Sequence, residues 1–182
     1  MRYVALLRGI NVTGNNMIKM ETLRATFASL GFAGVTSYIN SGNLAFGVSS
    51  PHVSKGSTLE QNLVSKIETA IETEYALKVS VMIRTQSSIS DVLANNPFAG
   101  RFETHKQMNV LFLRDEIPTE KHDEILALQS DKEFLAIRGR EIYLLLHCGF
   151  PESLLGRGLI ERRLKMPITV RNWRTVERLA AL

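Results

Sequence analysis

Val4-Ala5-Leu6-Leu7-Arg8 near the start of the chain and Val110-Leu111-Phe112-Leu113-Arg114 beyond its middle share one pattern, an apolar run of strand length closed by an arginine. A short apolar run bounded by polar residues reads as a buried strand. Working outward, Gly42 lines up with Gly139, Phe46 with Tyr143, and Ile83-Arg84 with Val170-Arg171. Ser88, Ile89 and Val92 then fall against Thr175, Val176 and Leu179. Apolar residues coincide easily by chance, so the paired arginines and the hairpin glycine carry the weight. The chain reads as an internal duplication.

In the first copy, residues 3–8 form the opening strand, and Met20, Leu23, Phe27 and Leu30 follow at helical spacing. Val35 to Ser41 and Leu44 to Val48 read as strands around Gly42-Asn43. That pair signals a two-residue hairpin, because glycine supplies the positive φ of a II′ turn. Ser57 with Glu60 forms a capping box ahead of a helix carrying Leu59, Leu63, Ile67, Ala70 and Ile71. Val79, Val81 and Ile83 alternate as a strand, and Ser88 with Asp91 opens a trailing helix.

The second copy repeats the order. Pro118-Thr119 starts a helix with Ile125 and Leu128, and Phe134 to Ile137 and Glu141 to Leu146 flank Gly139-Arg140. Leu155, Leu159, Ile160 and Leu164 mark a helix, Ile168 to Arg171 a strand, and Val176 with Leu179 the last helix. The expected fold is α+β: two ferredoxin-like βαββαβ repeats, each followed by a short helix, packed as a compact duplicated unit. The repeats span residues 1–98 and 107–182, with 99–106 as connector.

Composition narrows the class without naming a job. The 182 residues are 45% hydrophobic and 22% charged, which excludes disorder along the whole length. No apolar run approaches the roughly 18 residues of a membrane span, and the apolar start is too short for a signal peptide. The one cysteine, Cys148, excludes an intramolecular disulfide and fits a reducing compartment. The expectation is a cytoplasmic protein without a membrane partner. The net charge of +4 is concentrated late, since residues 137–182 hold 9 basic and 4 acidic side chains.

In a βαββαβ sheet the first and third strands are central antiparallel neighbours. Arg8 and the loop Gly9 to Asn16 then adjoin the hairpin Asn40-Ser41-Gly42-Asn43. A guanidinium, carboxamides, a hydroxyl and backbone N–H groups gathered on one rim are anion-binding components. Arg8, Asn11, Ser41 and Asn43 are the candidate ligand-binding residues, joined by Arg171 and Asn172 if the second repeat folds back over the first. Asn172 also stands where it would cap the last helix.

Other chemistries find less support. Gly9 and Gly14 have P-loop spacing, but Asn15 and Asn16 replace the required Lys and Ser/Thr. His52, His105, His122 and His147 are scattered, so no metal site or cofactor is expected. His147 and Cys148 are strand neighbours whose side chains diverge, and Ser41 and Ser153 lack a recognisable base. Arg138-Gly139-Arg140-Glu141-Ile142-Tyr143 and Phe112 are weakly similar to an RNA-recognition module, in which strand aromatics stack on bases.

The stretches Ala5-Leu6-Leu7-Arg8-Gly9-Ile10-Asn11-Val12, Ile18-Lys19-Met20 and Tyr38-Ile39-Asn40-Ser41-Gly42-Asn43 resemble the bacterial domain-of-unknown-function family numbered 1697. So do Gly139-Arg140-Glu141-Ile142-Tyr143, Arg171-Asn172 and Thr175-Val176. Thr13 departs from the Gly usual at its position, and residues 147–158 depart from the Gly-Arg-Ser-Lys version. The resemblance implies a compact cytoplasmic α+β protein and brings no activity. The leading expectation is a binding protein for a small phosphate- or carboxylate-bearing ligand. The alternatives are an RNA or single-strand module using the basic segment Arg138 to Arg178, and an enzyme of unknown reaction using the same rim.

Overall fold

The computed structural model describes residues 1–12, 14, 16–49 and 58–182. The first repeat runs β1 (Arg2–Leu7), α1 (Met20–Ser29), β2 (Ala33–Ser37), β3 (Asn43–Gly47), α2 (Leu59–Tyr75), β4 (Val81–Thr85) and the trailing α3 (Gln86–Ala94). The second runs β5 (Met108–Leu113), α4 (Thr119–Leu126), β6 (Glu133–Arg138), β7 (Glu141–Leu146), α5 (Leu159–Leu164), β8 (Ile168–Asn172) and the trailing α6 (Trp173–Ala180). Each repeat makes a four-stranded antiparallel sheet, ordered β2-β3-β1-β4 and β6-β7-β5-β8. This is the duplicated ferredoxin-like topology that the pattern predicts. By compactness the chain divides into Met1–Ser90 with Arg178–Leu182, and Asp91–Glu177. Among the described residues no helix is long and apolar enough to cross a membrane.

Alternation decides each core. In the first unit Tyr3, Ala5 and Leu7 of β1, Leu44 and Phe46 of β3, and Val81 and Ile83 of β4 face Leu23 and Phe27 of α1 and Leu63, Ile67 and Ile71 of α2. The helical residues recur at three- and four-residue spacing, so one stripe of each helix covers the sheet. Phe46 stacks on Phe32 at 4.4 Å between ring centroids and meets Phe27 edge-on at 5.5 Å. In the second unit Leu111, Leu113, Ile142, Leu144 and Ile168 play the corresponding part against Ile125, Ile160 and Leu164.

Local signals hold with small displacements. The capping box of α2 is Thr58 with Gln61, one residue beyond the expected Ser57–Glu60, and Ser57 itself lies outside the described residues. Thr85, not Ser88, caps α3, its hydroxyl accepting from the Ser88 N–H at 3.1 Å. Asn172 caps α6 as expected, its Oδ1 accepting from the Thr175 N–H at 3.0 Å. Leu155 precedes α5, which is shorter than its apolar spacing implies.

The two hairpins differ. Gly139 (φ +56) and Arg140 form the expected tight turn, with Arg138 paired to Glu141. In the first repeat the connection widens to residues 38–42, because Asn43 holds it open: its Nδ2 donates to the Tyr38 carbonyl at 3.1 Å and to Ser41 Oγ at 3.0 Å. The repeat alignment therefore slips by one residue here. Val4 pairs with Ala45 and Val110 with Tyr143, so the counterpart of Tyr143 is Ala45, not Phe46, and that of Gly42 is Arg140. One residue changes the sheet face. Phe46 belongs to the helix-covered core, whereas Tyr143 lies on the opposite face and donates to the Val92 carbonyl at 3.0 Å. The arginine correspondence needs no such shift, since Val4 pairs with Arg84 and Val110 with Arg171.

Burial, reinforced by the charge on Glu141, pushes the Tyr143 phenol up to about 12. A group raised in the folded state contributes stability that is complete below its unfolded value near 10 and is lost as pH rises through the folded one. Relative to Tyr143→Phe, the wild-type chain should lose roughly 2 kcal/mol of stability between about pH 10 and pH 12. Denaturant titrations of both proteins across that window check this. Parallel profiles would show that the buried phenol is not the titrating group.

Candidate functional site

The candidate rim lies in the first unit, where β1 ends. The Leu7 N–H donates to the Gly42 carbonyl at 2.8 Å and the Arg8 N–H to the Ser80 carbonyl at 2.9 Å. The end of β1 is thus bracketed by the β2–β3 connection and the approach to β4, as the strand order requires. The side chain of Arg8 is exposed at this point.

Asn11 organises the loop that follows. Its Nδ2 donates to the Ile18 carbonyl at 2.9 Å and to the Asn40 carbonyl at 2.8 Å, while its Oδ1 accepts from the Ile18 N–H at 2.7 Å. One carboxamide therefore ties the outgoing and returning arms of the loop to the hairpin. Asn16 closes the same loop: its Nδ2 donates to the Gly9 carbonyl at 3.0 Å, and its own carbonyl accepts from the Asn11 N–H at 3.1 Å. Asn11, Asn16 and Ile39 all adopt left-handed backbone, with φ of +54°, +49° and +49°. Asparagine tolerates that region, but a β-branched residue resists it.

The six residues expected at the site separate by role. Arg8 is exposed on the rim, and Ser41 stands half-buried with its hydroxyl accepting from Asn43. Asn11 uses its amide on the loop, and Asn43 has 0% of its surface accessible, so both shape the rim from beneath. In the second unit Arg171 is 7% exposed and donates from Nη1 to Thr169 Oγ1 at 2.7 Å and to the Val170 carbonyl at 2.8 Å. Burial lowers its pKa to about 10, which still leaves the guanidinium charged at neutral pH. Arg84, its repeat counterpart, likewise donates to the preceding carbonyl, that of Ile83, at 2.8 Å. Asn172 is the α6 cap.

Two exposed groups beside the rim were not among those six. Lys19 follows Ile18 on the returning arm, and Asn40 sits at the hairpin tip with its carbonyl held by Asn11. The signal for Lys19 was present in the sequence: with Arg8 it makes up all the charge between residues 8 and 19.

A concavity of about 390 Å³ lies in the second unit and is lined by Ser130, Lys132, Glu133, His147, Cys148, Gly149 and Glu152. Its chemistry is muted. Burial pushes the Cys148 thiol up, the charges of Glu133 and Glu152 push it the same way, and Lys132 and Arg157 oppose them. A raised thiol is a poor nucleophile. The Glu133 carboxylate accepts from the Leu154 N–H at 2.6 Å and lies 3.6 Å from Arg157. Ser153 serves a turn, donating to the Phe150 carbonyl at 2.7 Å. Among the described residues no three His, Cys, Asp or Glu side chains are grouped to hold a metal ion. Phe46, Phe112 and Tyr143 are all buried and offer no ring for base stacking.

Comparison with known proteins agrees with this architecture. A family model described as "Protein of unknown function (DUF1697)" matches residues 1–143. Among solved structures, the chain is similar to the conserved bacterial protein SP0830 from Streptococcus pneumoniae, at 26% sequence identity and a TM-score of 0.76. That similarity covers 99% of this chain and 97% of the other. A search of the curated proteins finds no match.

Proposed function

This chain belongs to the DUF1697 family of proteins of unknown function, and we propose that it is a binding protein whose first-unit rim takes a small anion bearing phosphate or carboxylate. Arg8 would supply the charge, with Ser41 and Asn40 beside it and Lys19 on the returning arm. Asn11 and Asn43 would act indirectly, by holding the loop and hairpin in shape. The observation that carries the reading is the rim's charge pattern on a fixed frame. Residues 8–19 and 38–43 hold two cationic side chains and no acidic one. The Asn11 and Asn16 carboxamides are meanwhile engaged in fastening it. A guanidinium presented on a pre-shaped loop binds an anion without first paying to order that loop.

Thermal unfolding in the presence of phosphorylated metabolites and carboxylates tests this. A ligand at about 100 times its Kd stabilises the folded state by about 2.7 kcal/mol. For a chain of this size that corresponds to roughly 5–10 °C in Tm. Wild type should show such a rise with at least one anion, and Arg8→Ala, compared with its own ligand-free Tm, should lose most of it. Equal shifts in the two proteins, or none in either, would reject the assignment.

A further inference from the structure

Val12, Met17 and Ile39 are large apolar side chains left 50%, 66% and 52% exposed. Among the described residues only Met1, Phe150 and Val170 share that condition. Single exposed aliphatic residues are ordinary, whereas several gathered at one place mark a contact surface. Asn11 ties together the backbone next to all three. Val12 follows Asn11 itself, Met17 precedes Ile18, and Ile39 precedes Asn40, the last two being neighbours of the residues whose carbonyls the Asn11 amide binds at 2.9 and 2.8 Å. Ile39 adds a separate observation, because it keeps an exposed β-branched side chain at φ +49. Glycine or asparagine would take that backbone at lower cost, and strain of this kind collects at ligand-binding positions. Exposed Arg8 and Lys19 supply the only charge on the two segments.

Resting on the anion-binding reading above, we infer that the ligand of this rim is an amphiphilic anion: a phosphate or carboxylate head at Arg8, joined to an aliphatic chain or ring that covers Val12, Met17 and Ile39. An inorganic ion would engage only the guanidinium and leave the three apolar side chains in water. An anion with an apolar body removes both kinds of surface together, which is how small-molecule sites usually combine a few polar anchors with apolar lining.

Calorimetric titration of the full chain with two series tests the inference. One runs from inorganic phosphate to butyl and hexyl phosphate, the other from acetate to hexanoate, with hexanol as a neutral control. Affinity should rise along at least one series, by up to about fourfold per methylene if each is fully buried, so the longest member binds at least tenfold tighter than the shortest. In Met17→Ser/Ile39→Ser that advantage should disappear while the shortest anion binds as before. Ile39→Asn suits the left-handed backbone, preserves the fold, and should remove part of the advantage. Equal affinity along both series, or an advantage unchanged in these variants, overturns the inference and leaves the anion reading standing. Hexanol binding as tightly as hexyl phosphate and hexanoate overturns it too, and failure of every anion to bind removes the anion reading as well.

Discussion

Gly42→Ala is expected to destabilise the protein by about 3 kcal/mol, in a range of roughly 2–5, as the sum of two costs. Gly42 has φ +74, a conformation that costs an L residue roughly 1–2 kcal/mol. A methyl group there would also stand 2.8 Å from Leu7 Cβ and Ile10 Cγ1 and 3.0 Å from Ile10 Cδ1. Neither Leu7 Cβ nor Ile10 Cγ1 is the far end of a flexible side chain, so the hairpin must move away from β1. Such overpacking costs about 1–3 kcal/mol. The movement would also strain the bond from Leu7 N–H to the Gly42 carbonyl. Gly139→Ala is the control. Its φ is +56, but the nearest atoms are Glu116 Oε1 at 3.8 Å and Glu141 Oε2 at 4.0 Å, so only the backbone cost of about 1 kcal/mol applies. Urea denaturation of the two variants should separate them by about 2 kcal/mol. Similar losses in both would mean that Gly42 is required for its dihedral angle alone.

Replacing Asn11 should produce an effect of similar size for a different reason. Asn11→Ala deletes three hydrogen bonds, two donated by Nδ2 and one accepted by Oδ1. At about 0.5–1.5 kcal/mol each, together with the left-handed φ of +54, the loss is roughly 2–5 kcal/mol. Asn11→Asp keeps the acceptor for the Ile18 N–H but turns a carboxylate towards the Ile18 and Asn40 carbonyls, so it should be no better tolerated. Amide exchange at Ile18 should quicken in the alanine variant, because that N–H loses the Asn11 Oδ1 acceptor. If Asn11 instead touched ligand directly and fastened nothing, both variants would retain wild-type stability and lose only affinity.

The role of Asn11 shows where sequence reading stops. Its presence in a Gly/Asn-rich loop beside Arg8 is visible in the sequence, but its two carbonyl partners are 7 and 29 positions away. No local pattern distinguishes an amide that faces a ligand from one that fastens its own loop. Asn43 is the same case: a residue read as half of a tight turn proves to hold a wider one open. Arg171 gives a third. Its correspondence to Arg84 follows from the repeat, yet its burial does not, since a guanidinium in an alternating strand can face either water or protein.

What the sequence by itself determined is the duplicated βαββαβ order, the central pairing of β1 with β3, the helix stripes that cover each sheet, and the cap at Asn172. These rest on spacings of two, three and four residues, which backbone geometry converts directly into sheet and helix faces. Tertiary structure alone decided the one-residue offset between the two hairpins, the opposite faces of Phe46 and Tyr143, and the division of the polar residues into those that shape the rim and those that are exposed on it. Each of these depends on which distant donor meets which acceptor, and on whether a side chain of either polarity is enclosed. Such choices are made when the elements pack, and the same local pattern is compatible with more than one of them.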